Sequence, residues 1–149
     1  MSSKSSRRRA REFALQGIYQ WLLSGNSVPV IKEHVEQASG FDKADRELFV
    51  SLLRGTLENV ADLQYDFAPF IDRPLSELSP VERGILLLAT HELKNCLETP
   101  YRVVINEAIE LAKGYGGTDG HRFVNGVLDK LATQLRAAEI AALKSEGKR

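Results

Sequence analysis

Apolar residues recur at three- and four-residue steps along most of the chain, which is the period of an amphipathic α-helix. The strict alternation typical of a half-buried β-strand is nearly absent. Helix breakers divide the pattern: "SGNS" at 24–27 ends a first helix that begins near Ser6, and Gly40 ends a short second helix from about Pro29 to Ala38. The pattern therefore predicts an all-α fold.

A long third helix is expected after Asp42, which can serve as its N-cap, because leucine, valine and phenylalanine recur on one face as far as the first proline. Pro69 and Pro74 end this helix and mark the boundary between two halves. We expect residues 1–73 to form an N-terminal helical half with the basic start, and 74–149 a C-terminal half within the same compact domain.

The second half opens on the strongest local helix signal, "SPVERGILLLATHELKN". Ser79, Pro80 and Glu82 have the positions of an N-cap, a first helical residue and a capping box. The run that follows is apolar nearly all round, which indicates a central, buried helix. A further helix is expected to end at Gly116 and Gly117.

A last helix begins at about Asp119 and fades after Leu135 into an alanine-rich, charged tail. The chain as a whole is predicted to form two stacked bundles of six to seven helices with no sheet. Its 149 residues, 43% hydrophobic and 27% charged, are typical of one soluble globular domain. No apolar stretch is long enough for a membrane span, and no apolar segment follows the basic start as in a secretory signal.

Candidate chemistry is sparse. The single cysteine, Cys96, excludes an internal disulfide and fits a reducing cytoplasm, and the three histidines are too scattered for a structural zinc site. On a helix His91 and Cys96 lie roughly 140° apart, so they do not face each other as base and nucleophile. The glycine-rich "GYGGTDG" lacks the Lys-Ser/Thr of a phosphate loop. We therefore expect no enzyme, no cofactor, no metal and no small-molecule substrate.

Charge is distributed unevenly although the formal net charge is zero. The first eleven residues hold five cations and no acid, which leaves 15 cations against 20 acids in the rest of the chain. A basic end on an acidic body indicates a local binding arm. Guanidinium groups bind phosphate oxygens in bidentate fashion, so the arm suits a nucleic-acid backbone, and a solvated basic tail is the competing interpretation.

A helical wheel separates the arginines of this arm. With Arg7 at the origin, Arg11 lies at about 40°, Arg8 at about 100° and Arg9 at about 200°, whereas the core-facing residues centre near 290°. Three arginines are therefore expected on one side, away from the core. The pattern alone supports nucleic-acid binding and a solvated arm without a ligand about equally.

The same helix carries a second apolar stripe, roughly 120° from the main core face. Leu15, Tyr19 and Leu22 form it. A helix inside a bundle can touch two neighbours, so a second intramolecular contact is the slightly favoured interpretation. A groove for a partner protein beside the arginines is the alternative.

Three segments together resemble the NusB family of bacterial transcription antitermination factors. They are "RRRAREFALQGIYQW" at 7–21, "PYRVVINEAIELAKGYG" at 100–116 and "HRFVNGVLDKLA" at 121–132. Between them, "LSPVERGILLLATHEL" at 78–93 is similar to the family's central helix. The resemblance covers nearly the whole chain, except the 24–46 region and the tail after about Leu135.

The resemblance implies an all-α, non-catalytic protein that helps to assemble an antitermination complex on nascent RNA. Family members bind single-stranded boxA RNA together with NusE, a small-subunit ribosomal protein. In that complex, with other Nus factors, RNA polymerase passes terminators, notably in ribosomal RNA operons. The partners implied here are therefore boxA RNA, NusE, other Nus factors and RNA polymerase, with no membrane.

The resemblance also implies site residues. Those for RNA are, at the arginine-rich start, Lys4, Arg7, Arg8, Arg9 and Arg11 and, at the opening of the last helix, Asp119, Arg122 and Phe123. Those for NusE are Tyr19 and Glu82. Because Tyr19 belongs to the apolar stripe, Leu15 and Leu22 are expected on the NusE surface as well. Phe123 can equally anchor the last helix in the core, and Glu82 can belong to the capping box. A protein-only helical scaffold, its arginines serving an acidic partner, is the alternative function.

Overall fold

The computed structural model describes residues 3–115 and 119–147. Within these ranges it contains α-helices, short 3-10 turns and no strand, which confirms the all-α prediction. The helices number eight in the described residues, compared with the six to seven expected. They are α1 (Lys4–Ser24), α2 (Val28–Glu36), α3 (Arg46–Leu57), α4 (Val60–Phe67), α5 (Pro80–Asn95), α6 (Tyr101–Tyr115), α7 (Gly120–Leu135) and α8 (Ala137–Gly147).

Helix α5 is the centre of the molecule. Every residue from Gly84 to Leu93 is buried, and α1, α3, α4, α6 and α7 all pack against this helix. The expected central, buried helix is therefore confirmed. Helices from both sides of residue 73 contribute to one cluster of buried side chains. The boundary between two halves at residue 73 remains a prediction.

The start of α3 differs from the prediction. Asp45, and not Asp42, is the N-cap: its carboxylate accepts the backbone N–H of Leu48 at 3.0 Å. Asp42 lies in a 3-10 turn that buries Phe41, whose ring centroid is 5.0 Å from that of Phe49. The aromatic contact holds the chain in this turn, so the helix begins three residues later than expected.

The long third helix is also interrupted, so its prediction as one helix was wrong. Helix α3 ends at Leu57 and α4 begins at Val60. At the break, the side-chain amide of Asn59 donates to the backbone carbonyl of Gly55 at 2.8 Å. That bond takes the carbonyl that the backbone N–H of Asn59 would bind in a continuous helix, and this N–H instead donates to the carbonyl of Thr56 at 3.2 Å.

The expected fading tail is instead a helix, held by a buried arginine. Arg136 donates to the carbonyl of Leu93 at 2.6 Å, in the last turn of α5 where carbonyls lack a helical partner, and to that of the C-cap residue Cys96 at 3.0 Å. It also pairs with Glu139, whose carboxylate accepts the N–H of Tyr101 at the start of α6. These bonds tie α8 to the turn between α5 and α6.

Two further features complete the comparison with the sequence. The expected helix end at Gly116 and Gly117 lies outside the described residues. None of the described helices combines the length and the apolar character that crossing a membrane requires. In the described residues, α5 lies inside the core, and α1, α6 and α7 pack around it.

Candidate RNA and partner interface

The basic arm is an ordered part of α1 and begins with a capping box. Ser3 is the N-cap: its hydroxyl accepts the N–H of Ser6 at 3.0 Å, and its own N–H donates to the Ser6 hydroxyl at 3.0 Å. The helix therefore starts at Lys4, two residues before the predicted start. Consequently the cations of the arm lie at set angles on a helix. Lys4, Arg7, Arg8 and Arg9 are exposed.

Arg8 is exposed but paired within the molecule. Its Nε and Nη2 donate to the two carboxylate oxygens of Glu107 on α6, both at 3.1 Å. The hydrogen bond and charge of Glu107 raise the pKa of the Arg8 guanidinium. The Arg8 side chain is 44% exposed, and its Nη1 takes no part in this pair. Arg8 can therefore keep Glu107 and still donate outward.

Arg11 does not belong to the exposed set, and its expected position away from the core was wrong. The residue is 5% exposed, and its Nε and Nη2 donate to the carboxylate of Glu92 on α5 at 2.8 and 3.0 Å. A buried carboxylate on the neighbouring helix draws the guanidinium inward, which a single-helix wheel cannot anticipate. The available signal was Glu92, an acid in the helix that the sequence predicts to be central and buried.

A cleft of mixed charge adjoins the arm. It has a volume of about 440 Å³ and lies between the start of α1 and the start of α6. Lys4 and Arg7 line it together with the acids Asp45, Glu98 and Glu107. The cationic surface at this end is therefore narrower than the count of arginines indicates.

The predicted residues of the last helix lie at its first turns. Asp119 and Arg122 are exposed, and the Asp119 side chain makes no capping bond although it has the N-cap position. Phe123 is half-buried and packs against the core, as its anchor interpretation requires. One face of its ring is covered by the guanidinium of Arg73, whose central carbon lies 4.3 Å from the ring centroid. No sequence pattern pointed to Arg73.

The apolar stripe is divided between core and surface. Leu15 is 4% exposed, and its Cδ1 would lie 3.1 Å from a Cβ on Gly84 of α5. Leu22 is half-buried and approaches the same glycine. For these two leucines the intramolecular interpretation is correct, because the missing side chain of Gly84 lets α1 approach α5 closely.

Tyr19 is the member of the stripe that reaches the surface. It is 38% exposed and lines a groove of about 410 Å³ together with Val81 at the start of α5 and Tyr115 at the end of α6. Leu15 forms part of the floor of this groove. An apolar groove with two tyrosine rings has the composition of a protein-binding surface.

Glu82 joins the two candidate regions. The Ser79 hydroxyl accepts the Glu82 N–H at 3.1 Å, so the expected N-cap is present, but the Glu82 carboxylate accepts the Ser79 hydroxyl at 3.0 Å and not the Ser79 backbone N–H that a capping box requires. The same carboxylate lies 3.7 Å from the Cβ position of Gly120 at the start of α7. Glu82 therefore stands between the Tyr19 groove and the Phe123 region.

No catalytic arrangement is found among the described residues. His91 is buried, which lowers the pKa of its imidazole, and its ring lies against Gly55 of α3. Burial raises the pKa of the Cys96 thiol to about 11, so it is unreactive at neutral pH. No three potential metal ligands come together in the described ranges. The fold and these sites define the class: an all-α protein with a cationic helix start and an apolar surface groove.

Comparison with known proteins agrees with that class. A sequence model of the NusB family matches residues 8–133. The chain is 79% identical to the transcription antitermination protein NusB of Aromatoleum aromaticum, over 97% of this chain and all of that protein. It is 71% identical to that of Azoarcus sp. BH72, over 98% and 95% of the two chains. The chain therefore belongs to the NusB family.

Solved structures show the same fold. NusB of T. maritima superposes with a TM-score of 0.78 at 32% identity, covering 89% of this chain and 93% of that one. A NusB solved with NusE and double-stranded RNA gives a TM-score of 0.77 at 23% identity, covering 89% and 99%. The relatives are antitermination proteins and not enzymes, so the predictions of family and of a non-enzymatic protein are confirmed.

Proposed function

We propose that this protein is an RNA-binding transcription antitermination factor that binds boxA RNA together with NusE. In this role it supports processive transcription of ribosomal RNA operons in the cytoplasm, in a complex with other Nus factors and RNA polymerase. The observation that carries the proposal is the exposed cationic start of α1, Lys4 to Arg9, in a member of the NusB family. A structural neighbour crystallised with NusE and RNA supports both partners.

The RNA contacts are assigned to exposed cations in the N-terminal half and to the opening of α7. Lys4, Arg7 and Arg9 present their charge at the surface, and Arg8 keeps a free Nη1 beside Glu107. Arg11 is left out, because its guanidinium is buried against Glu92 and cannot reach a phosphate without breaking that pair. The start of α7 adds Asp119, Arg122 and Phe123.

The NusE contact is assigned to the Tyr19 groove. Its exposed tyrosine rings offer a large, rigid contact area, which is typical of residues that dominate the affinity of an interface. Glu82 follows the groove residue Val81 in sequence, and its carboxylate lies near Gly120 at the start of α7, where it would add a charge to the partner surface. Leu15 forms part of the groove floor, and Leu22 packs near Gly84 of α5 outside the lining of the groove.

Removing two exposed arginines should weaken RNA binding and its dependence on salt. Each phosphate contact to a single strand contributes about −0.7 to the slope of log affinity against log salt. The double variant Arg7→Ala/Arg9→Ala should therefore bind boxA RNA more weakly, with a slope less negative by about 1.4. Fluorescence anisotropy titrations between low and physiological salt measure both quantities.

A matched control removes the same charge elsewhere. Arg54 on α3 and Lys144 on α8 are exposed cations outside the assigned regions. The variant Arg54→Ala/Lys144→Ala should keep the wild-type slope. If Arg7→Ala/Arg9→Ala binds RNA as tightly as this control, the basic arm does not bind RNA.

Placing a charge in the groove should prevent association with NusE. Tyr19→Asp removes the exposed ring and puts a carboxylate against Val81 and Tyr115, so NusE binding should be lost while the thermal midpoint stays within a few degrees. Size-exclusion chromatography and calorimetry with purified NusE measure the loss. Tyr65→Asp is the control, since Tyr65 is 82% exposed on α4. A large fall in stability for Tyr19→Asp would assign Tyr19 to the core instead.

One titration tests the proposal as a whole. Wild-type protein is titrated with boxA RNA and with a scrambled strand of the same length, each with and without NusE. Tighter binding to boxA, strengthened by NusE, is the expected result. Binding of NusE with no preference for either RNA would favour a scaffold that uses its arginines on an acidic protein partner.

A further inference from the structure

The guanidinium of Arg73 lies on the ring of Phe123, which the family resemblance implies as an RNA-binding residue. Arg73 comes from the connection between α4 and α5, and Phe123 from the first turn of α7. The distance of 4.3 Å from the Arg73 central carbon to the ring centroid is that of a cation–π contact. A base arriving from this side therefore meets the guanidinium before it meets the ring.

Arg73 keeps most of its hydrogen-bonding capacity. Its Nε donates to the carboxylate of Asp72 at 2.7 Å, and this is its one hydrogen bond to the described part of the protein. The side chain is 36% exposed, and a guanidinium has four further N–H groups on its two outer nitrogens. Those groups remain available to an external acceptor.

The surroundings hold Arg73 in place and add further cations. Asp72 stands on one side of it, and Glu82 and Glu77 contribute weaker attraction from the start of α5 and the turn before it. Arg122 is exposed one residue before Phe123. Lys130, seven residues after Phe123 and so on the same face of α7, is close enough to Asp72 to lower the pKa of its carboxyl. Both cations and acids therefore surround the covered ring, and Arg73 is the cation that lies directly on its face.

We infer that Arg73 is a further RNA-contacting residue, which binds a backbone phosphate of single-stranded RNA, and that Phe123 acts on RNA by holding Arg73 in place. The inference rests on the proposed function and adds a residue to its RNA surface. An arginine that already lies on a ring loses less side-chain freedom on binding than a free one does. The planar fork of the guanidinium suits phosphate oxygens.

Four proteins test this inference on boxA RNA: the wild type, Arg73→Ala, Phe123→Leu and the double variant. Arg54→Ala is the matched control for the loss of one exposed arginine. Arg73→Ala should weaken binding about tenfold or more, as expected for a charged hydrogen bond, and should make the salt slope less negative by about 0.7. Phe123→Leu should weaken binding less, and should add nothing in the Arg73→Ala background.

The outcomes separate this inference from the proposed function. If the wild type does not prefer boxA to the scrambled strand, the proposed function itself is wrong. If the wild type prefers boxA but Arg73→Ala binds like Arg54→Ala, Arg73 does not touch RNA. Losses that multiply in the double variant would mean that Phe123 contacts RNA by itself. Weaker binding at an unchanged salt slope would assign Arg73 to a base, which also contradicts the phosphate contact.

Discussion

Arg11→Met should lower the free energy of unfolding by about 3–5 kcal/mol, the usual effect of removing one partner of a buried ion pair. The side chains of Arg11 and Glu92 are 6% and 3% exposed, and two hydrogen bonds join them. Methionine fills a similar volume but leaves the Glu92 carboxylate buried without its counter-charge. Urea denaturation followed by circular dichroism measures the change.

Two companion variants make the interpretation specific. Arg11→Met/Glu92→Leu removes both charges and should be more stable than Arg11→Met alone, because no unpaired charge remains in the core. Arg9→Ala, at an exposed position of the same helix, should change stability by about 0.5 kcal/mol or less. A double variant as unstable as the single one would mean that packing, and not charge, makes Arg11 important.

Gly55→Ala should destabilise the protein by about 1–3 kcal/mol or more, although alanine normally favours a helix over glycine. A Cβ at this position would overlap Cε1 of the buried His91 ring and lie 2.5 Å from its Nε2. The imidazole packs directly on the backbone of α3, and it is also hydrogen-bonded to the Asn95 side chain at 3.2 Å. It cannot give way without moving α5 relative to α3.

The sign of this effect should reverse when the ring is removed. In a His91→Ala background, Gly55→Ala should be neutral or stabilising, since the space is then open and only helix propensity remains. Gly126→Ala is the control in α7, where a Cβ would meet nothing within 4 Å, and it should stabilise by about 0.5–1 kcal/mol. Thermal and urea unfolding of the four proteins measure the coupling. An equal cost of Gly55→Ala in both backgrounds would show that His91 is not the obstacle.

The buried Arg11–Glu92 pair lies in the helix that carries the proposed RNA surface. Arg8 and Arg11 attach the start of α1 to α6 and α5 through Glu107 and Glu92. With the Ser3 cap, these bonds order the arm before any ligand is bound. In the proposed function, the exposed cations would meet RNA from a preordered helix, which reduces the entropic cost of binding. The exposed cations of the arm are fewer than the sequence indicates, because Arg11 is buried.

Local sequence patterns predict much of the fold. Period, caps and breakers located most helices, and the uninterrupted apolar run identified α5 as the central one. The motifs of α1, α5, α6 and α7 were sufficient to identify the family. These features can be read from sequence because a helix face and an N-cap depend on residues within a few positions of each other.

Where the prediction was wrong, contacts distant in sequence decided the result. Phe41 packs on Phe49 and moves the start of α3, and Arg136 attaches the alanine-rich tail to the end of α5. Neither contact leaves a periodic trace. Each depends on a partner that the fold brings close, so it appears only when the helices are assembled.

The sequence by itself determined the helical class, the central helix, the family and the presence of a cationic start. Only the tertiary structure decided which cations face outward, that the Leu15 and Leu22 side chains pack inside while Tyr19 reaches the surface, and that Arg73 covers Phe123. The physical reason is that the helical period fixes the direction of a side chain around the axis of its own helix. Whether that direction leads to water or to a buried carboxylate depends on the neighbouring helix.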